Sequence, residues 1–259
     1  MNDDIDSFLA LAERLASASS AVIRRHFRTR VSVDDKADAS PVTVADRDAE
    51  RAMRDLIAET FPTHGIIGEE HGAEREGAMY VWVLDPIDGT KSFVTGRPLF
   101  GTLIALCRDG QPIVGVIDCP AVGERWTGAI GRPTHHQGQP VRARPCAELA
   151  QAWLYCTSPQ MFGESDFKRF EQVRRAVKFP LYGGDCYAYG LVASGFADLV
   201  IEAGLNPYDW AALVPVIEGA GGRLTDWRGR TLDLAVAKSQ VIAAGDPRVH
   251  GQALRILGA

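Results

Sequence analysis

Residues 80–90, Tyr80-Val81-Trp82-Val83-Leu84-Asp85-Pro86-Ile87-Asp88-Gly89-Thr90, decide how the rest of the chain is read. Tyr80 to Leu84 is apolar, rich in β-branched and aromatic side chains and too short for a globular helix, so it predicts a buried strand. Asp85 and Asp88 then place two carboxylates where that strand should stop. Pro86 lacks an N–H and has a fixed φ, which predicts that the strand does not run on. Gly89 lets the backbone come close to a ligand. Thr90 adds a hydroxyl and leads into Lys91-Ser92-Phe93, the expected start of a helix. Carboxylate oxygens beside free helix-start N–H groups can hold a divalent cation and a phosphate oxygen together. The same residues also spell an acidic turn that caps a helix, and the segment alone does not choose between the two.

Working outward, more acids fall at element ends. Residues 44–60 predict a helix stopped by Pro62, with Thr43 and Asp46 in an S/T-x-x-D capping pattern. A first-turn acid suits any helix, and the same turn can aim its carboxylate at a metal. Residues 65–68 predict a short strand ending in Glu69-Glu70. Residues 5–28 show helical spacing at Phe8, Leu11, Leu15, Val22, Ile23 and Phe27. Residues 31–40 are polar and read as a loop, with Lys36 a surface side chain. Residues 102–107 and 113–117 predict a hairpin around Asp109-Gly110, and 124–129 a further strand. A Gly/Pro-rich stretch over 131–145 marks a boundary inside one domain, with an N-terminal lobe of about 1–133 and a C-terminal lobe of about 134–259. There, strands at 152–157, 197–201 and 240–244 alternate with helices at 166–177, 187–194, 209–219 and 247–257. The bend Gly183-Gly184-Asp185 precedes the second of these helices. This alternation predicts layered sheets and helices.

Composition narrows the function. The chain has 259 residues, 46% apolar and 24% charged, and a formal net charge of −5. That charge argues against a nucleic-acid partner, which needs a basic face. No apolar run approaches bilayer-spanning length, and the acidic N-terminus is no signal peptide. Cys107, Cys119, Cys146, Cys156 and Cys186 are odd in number and form no C-x-x-C, as expected of reduced thiols in a cytoplasmic protein. The histidines form no H-x-x-x-H pattern, and His135-His136 in its Gly/Pro-rich loop reads as solvated. Zinc is therefore disfavoured and carboxylates favour Mg²⁺. Five acids stand out: Asp46, Glu69, Asp85, Asp88 and Asp209. If they converge they repel one another unless cations intervene, and two or three Mg²⁺ ions would remove that conflict.

Pro41-Val42-Thr43…Asp46, Gly68-Glu69-Glu70, Asp85-Pro86-Ile87-Asp88-Gly89-Thr90 and Tyr208-Asp209-Trp210, in this order along nearly the whole chain, resemble the inositol monophosphatase-like, Mg²⁺-dependent phosphatases. The resemblance implies an α+β fold, a five-layered α-β-α-β-α sandwich of the type shared with fructose-1,6-bisphosphatase, and a homodimer. It implies that Glu69, Asp85 and the Ile87 carbonyl hold a first Mg²⁺, that Asp85, Asp88 and Asp209 hold a second, and that Asp46 with Glu69 serves a weaker third. It also implies that Thr90, hydrogen-bonded to Asp46, orients and deprotonates the attacking water, and that the Gly89 and Thr90 amides hold the phosphate.

Gly183-Gly184-Asp185-Cys186-Tyr187-Ala188-Tyr189, the run Glu202 to Asp209, and Ser92 in place of a more usual Asn resemble the histidinol-phosphatases of this superfamily. Histidinol phosphate carries an ammonium and an imidazole, and a carboxylate beside the ammonium makes a strong charge-assisted hydrogen bond. Asp185 and Glu202 are the candidates for that recognition, with Asn206 a third. Asp185 also reads as a bend residue capping the next helix, and Glu202 as a surface strand end. The competing functions are an inositol-1-phosphate or other sugar-phosphate monophosphatase and, from a different class, a non-catalytic metal-binding homologue.

Overall fold

A computed structural model describes residues 4–30, 33–35 and 41–258; Lys36 lies outside them. The helices are α1 (Ile5–His26), α2 (Val44–Thr60), α3 (Thr90–Val94), α4 (Glu164–Ala176), α5 (Tyr187–Ala193), α6 (Pro207–Trp210), α7 (Leu213–Gly219) and α8 (Pro247–Leu257). The strands of the first half are β1 (Val33–Asp35), β2 (Pro41–Thr43), β3 (Gly65–Gly68), β4 (Gly72–Glu74), β5 (Tyr80–Asp88), β6 (Gly101–Arg108), β7 (Gln111–Cys119) and β8 (Glu124–Ala129). Those of the second are β9 (His135–His136), β10 (Gln139–Pro140), β11 (Trp153–Cys156), β12 (Phe179–Tyr182), β13 (Leu199–Leu205), β14 (Arg223–Thr225) and β15 (Ser239–Ala244).

β5 shows why the chain layers as it does. Successive side chains of a strand point to opposite faces. Trp82 and Leu84 pack with Leu11, Leu15, Met53 and Ile57 of α1 and α2. Val81 and Val83 pack the other way, with Tyr189 of α5, Trp210 of α6 and Val216 of α7. A strand covered on both faces reads as an unbroken apolar run, as 80–84 does. The same alternation recurs across the molecule. Val200, Val241 and Ala243 of β13 and β15 face α5–α7. Leu199, Ile201 and Ile242 face away, onto Phe170 of α4 and Val249 and Leu257 of α8. The order is therefore helices α1 and α2, a first sheet, helices α5–α7, a second sheet, helices α4 and α8: the five-layered α+β sandwich expected.

The first sheet runs β10-β9-β8-β7-β6-β5-β3-β4 and the second β12-β11-β13-β15-β14. The first sheet thus takes in residues as far as Pro140, and the second begins at Trp153. The hairpin turn between β6 and β7 has Asp109 at φ 48° and Gly110 at φ 79°, the pair of positive values a tight two-residue hairpin uses.

Several expectations need correction. β5 does not stop before Pro86 but continues to Asp88, with a register shift against β6 between Asp85 and Asp88. Proline is tolerated in a strand at such an interruption, where no ladder N–H is required, and Thr102 Oγ1 donates to the Pro86 carbonyl at 2.8 Å. The segment 33–35, read as loop, pairs antiparallel with β2. The helix expected over 209–219 is two, α6 and α7. Strands β4, β12 and β14 are too short for periodicity to announce. His136 is half-buried and stacks on Trp126 at 4.4 Å, so it is not a solvated loop side chain. Among the described residues no helix is long and apolar enough to cross a membrane.

Candidate active site

β3 and β5 run parallel with Gly68 opposite Leu84, so the residues that follow, Glu69 and Asp85, emerge side by side. Glu69 and Asp85 lie within hydrogen-bonding reach of each other. The shift in register then turns Asp88 toward the same place. Asp209 arrives from the first turn of α6, where Oδ2 accepts from the Asn206 backbone N–H at 2.7 Å and its amide Nδ2 at 3.3 Å. One oxygen each of Asp85, Asp88 and Asp209 lies within 4.8 Å of the others. Asp46 comes from the first turn of α2. Its Oδ2 accepts from the Thr43 N–H at 2.8 Å and the Thr43 hydroxyl at 2.6 Å, while Thr43 Oγ1 accepts from Ala45 N–H, closing the capping box. Glu69 is close enough to raise Asp46 as well as Asp85 and Asp209. The five acids read from the sequence converge.

Their electrostatics are unfavourable as they stand. Burial pushes Asp85 well above the ordinary carboxylate range, and the charges of Glu69, Asp88 and Asp209 push it further. Burial, then Asp185 and Asp209, do the same to Asp88, against a hydrogen bond from Cys186 N–H at 2.6 Å. Burial raises Asp209 to about 7, opposed by Asn206, and raises Asp46, opposed by Thr43. Among the described residues Asp85 Oδ1 is buried without a hydrogen-bond partner. A buried, unpartnered carboxylate oxygen facing further carboxylates is costly unless a cation shares it. Hard oxygen donors at this spacing suit a divalent ion of the Mg²⁺ or Ca²⁺ kind, so the residues present fit the group the sequence called for.

Other expected roles change on inspection. Thr90 Oγ1 donates to the Ile87 carbonyl at 3.1 Å rather than to Asp46, whose Oδ2 takes the Thr43 hydroxyl. The Ile87 carbonyl, expected as a ligand, therefore carries a hydrogen bond, and the Ile87 side chain is buried beside Phe93 and Phe100. Gly89 adopts φ 84°, and a Cβ there would stand 2.7 Å from Asp185 Cγ, so glycine is required for the turn after β5 to pass this close to Asp185. Asn206, expected to help recognise the substrate, gives its N–H and its side-chain amide to Asp209.

A cleft of about 160 Å³ adjoins the acids, and Asp88, Asp185, Tyr189, Glu202 and Asp209 help to line it. Asp185, at φ 46°, accepts from the Ser92 hydroxyl at 2.7 Å through Oδ2, while Oδ1 accepts nothing from the described residues. Burial raises its pKa; Ser92, Arg97 and Lys91 oppose that. Glu202 is buried, not a surface strand end: Oε1 accepts from Thr157 N–H at 2.9 Å and Oε2 from the Tyr189 hydroxyl at 2.8 Å.

A family model described as the inositol monophosphatase family matches residues 4–258. The chain belongs to that family. It is 55% identical over 262 residues to the bifunctional phosphatase IMPL2, chloroplastic, of Arabidopsis thaliana, covering 98% of this chain and 76% of the plant protein. It is 36% identical to a histidinol-phosphatase of Chlorobaculum parvum, covering 89% and 88% of the two chains. The solved structure of an inositol monophosphatase from Zymomonas mobilis superposes over the whole of both chains with a TM-score of 0.91 and 44% identity. The protein is thus a phosphatase of the inositol monophosphatase family. Residues whose sequence context implied no such role support its acids. The Cys186 N–H, Thr157 and Tyr189 had no local signal, since each meets its acid only through the fold. Glu50, one helical turn beyond Asp46, was legible in principle from that spacing.

Proposed function

We propose that this phosphatase hydrolyses L-histidinol phosphate to L-histidinol and phosphate in histidine biosynthesis, with Mg²⁺ as cofactor. The observation that carries the substrate is Asp185. Among the described residues its Oδ1 accepts no hydrogen bond, in a cleft whose other acids either stand beside the cation site, as Asp88 and Asp209 do, or are held by Thr157 and Tyr189, as Glu202 is. A substrate ammonium there would gain a charge-assisted hydrogen bond, whereas a polyol would leave the half-buried carboxylate poorly compensated. The likeness to histidinol-phosphatases supports the same reading.

Glu69, Asp85, Asp88 and Asp209 would hold two cations, with the Ile87 carbonyl on the first and Asp46 beside Glu69 for a weaker third. When bound, Mg²⁺ supplies Lewis acidity toward the phosphate oxygens and lowers the pKa of water. The chain's own residues do the rest. The amides of Gly89 and Thr90 hold the phosphate. Thr90 and Glu69 orient the attacking water, Thr90 reaching Asp46 once the Ile87 carbonyl is engaged elsewhere. Glu202, fixed by Thr157 and Tyr189, forms the cleft wall against the imidazole, and Asn206 keeps Asp209 in place. The free, buried cysteines suit a reducing compartment such as the cytoplasm. A homodimer is the proposed assembly, to be checked by light scattering.

Phosphate release from histidinol phosphate, inositol 1-phosphate and an aryl phosphate, each with Mg²⁺ and with a chelator, tests this. A preference for histidinol phosphate that vanishes on chelation is expected. Equal turnover of the two natural esters refutes the substrate, and release that survives chelation refutes the cofactor. The similarity to an inositol monophosphatase favours inositol 1-phosphate as the second reading, and the same panel separates them.

A further inference from the structure

α2 carries two acids one turn apart, Asp46 and Glu50, and residues four apart share a helix face. Asp46 turns into the acidic nest. Glu50 is fully buried. Its Oε2 accepts from the Glu70 N–H at 2.7 Å, and its Oε1 from the His71 N–H at 3.1 Å and from Arg54 Nε at 2.7 Å. Arg54 reaches on to Glu74 Oε1 at 2.9 Å and to the Gly72 carbonyl. The His71 ring bonds the Arg47 carbonyl at 3.0 Å, again on α2. On the other side of Glu69, Gly68 packs so closely on this ion pair that a Cβ would run into Glu50 Oε1 and stand 2.8 Å from Arg54 Nη2. The β3–β4 turn is therefore gripped from residue 68 to residue 74 by one buried carboxylate and one guanidinium, and Glu69 sits inside the grip. A buried ion pair is a poor source of stability in itself, and a surface turn does not need one to form.

We infer that Glu50, braced by Arg54, is a positioning residue: it fixes the backbone around Glu69 so that this carboxylate and Asp46, both set by α2, stand ready for the cation. This rests on the reading of Glu69 as a cation ligand. Partners that orient metal ligands typically contribute about tenfold to a hundredfold in metal affinity.

The test is Glu50→Gln in the full chain, whose amide cannot accept from all three donors. Mn²⁺ binding is titrated by electron paramagnetic resonance without substrate, and the Mg²⁺ dependence of phosphate release is measured beside it. A rise of about tenfold to a hundredfold in the Mn²⁺ dissociation constant is expected. The Mg²⁺ concentration for half-maximal rate should rise in parallel, with kcat at saturating Mg²⁺ largely recovered. An unchanged Mn²⁺ affinity, even with a lowered Tm, overturns the inference and leaves Glu50 a structural residue only. Should Glu50→Gln not fold, Glu74→Gln decides, because that carboxylate is half exposed and meets Glu50 only through Arg54, its other partner being the surface side chain of Arg75. A smaller loss of Mn²⁺ affinity supports the inference, and none overturns it. Failure of the unaltered protein to bind Mn²⁺ would refute the cation site itself, which is a different outcome from equal binding by protein and variant.

Discussion

Replacing Asp209 with asparagine should stabilise the cation-free protein above neutral pH and do little in mild acid. Asp209 is raised from 3.8 to about 7, chiefly by burial. A carboxyl raised in the fold costs nothing below its unfolded pKa, where both states are protonated. The cost grows as the pH climbs from about 4 and is complete above about 7. At about 1.4 kcal/mol for each tenfold, holding Asp209 ionised in the fold costs about 4 kcal/mol at about pH 8. Asparagine avoids that but weakens the bonds from Asn206, since a neutral acceptor replaces a charged one, a loss of about 1–2 kcal/mol. The net gain is about 2 kcal/mol, on the order of 4–8 °C in Tm for a chain of this size. Thermal and urea unfolding with a chelator, across about pH 5 to 8, measures it. Saturating Mg²⁺ should reverse the order, because cation binding stabilises the unaltered protein by linkage more than a variant lacking a ligand. A loss of stability at about pH 8 without cation, or the same difference at every pH, would refute the argument that the acids are held together at the fold's expense.

Asp85→Asn or Asp88→Asn should lower phosphate release by about a thousandfold or more with circular dichroism unchanged, since each removes a carboxylate from the cation site; Mg²⁺-dependent turnover surviving in both would sink the ligand assignment. Asp185→Ala should cut kcat/KM for histidinol phosphate about tenfold to a hundredfold while sparing an aryl phosphate, the loss of one charge-assisted hydrogen bond; a parallel fall with both esters would place Asp185 in the chemistry instead. Gly89→Ala meets both a φ of 84° and the Asp185 carboxyl, so stability should fall by about 1–3 kcal/mol and the preference for histidinol phosphate should weaken with it, as unfolding curves and the same substrate panel will show.

What the chain announced, it announced locally. The apolar run at 80–84, the Thr43/Asp46 cap and the Asp109-Gly110 turn depend on neighbours within about four residues, and each is where the pattern placed it. The five acids were legible because carboxylates at element ends, in that order, resemble a family. Tertiary structure alone decided how they are used. Only the parallel register of β3 and β5 sets Glu69 beside Asp85, and only the fold gives the Cys186 N–H to Asp88, the Ser92 hydroxyl to Asp185, and the Thr157 N–H to Glu202. Pro86 read as a stop because its own chemistry forbids a ladder bond, yet β6 tolerates it at an irregularity that no local window contains. Glu202 read as a recognition candidate or a surface strand end, and its burial was not legible, because nothing near it in sequence shows Thr157 or Tyr189 bonding to it. A hydroxyl or amide has several acceptors within reach of its composition, and which one it serves is fixed by packing between segments up to about a hundred residues apart, where the cost of leaving a buried polar group unpaired makes the choice.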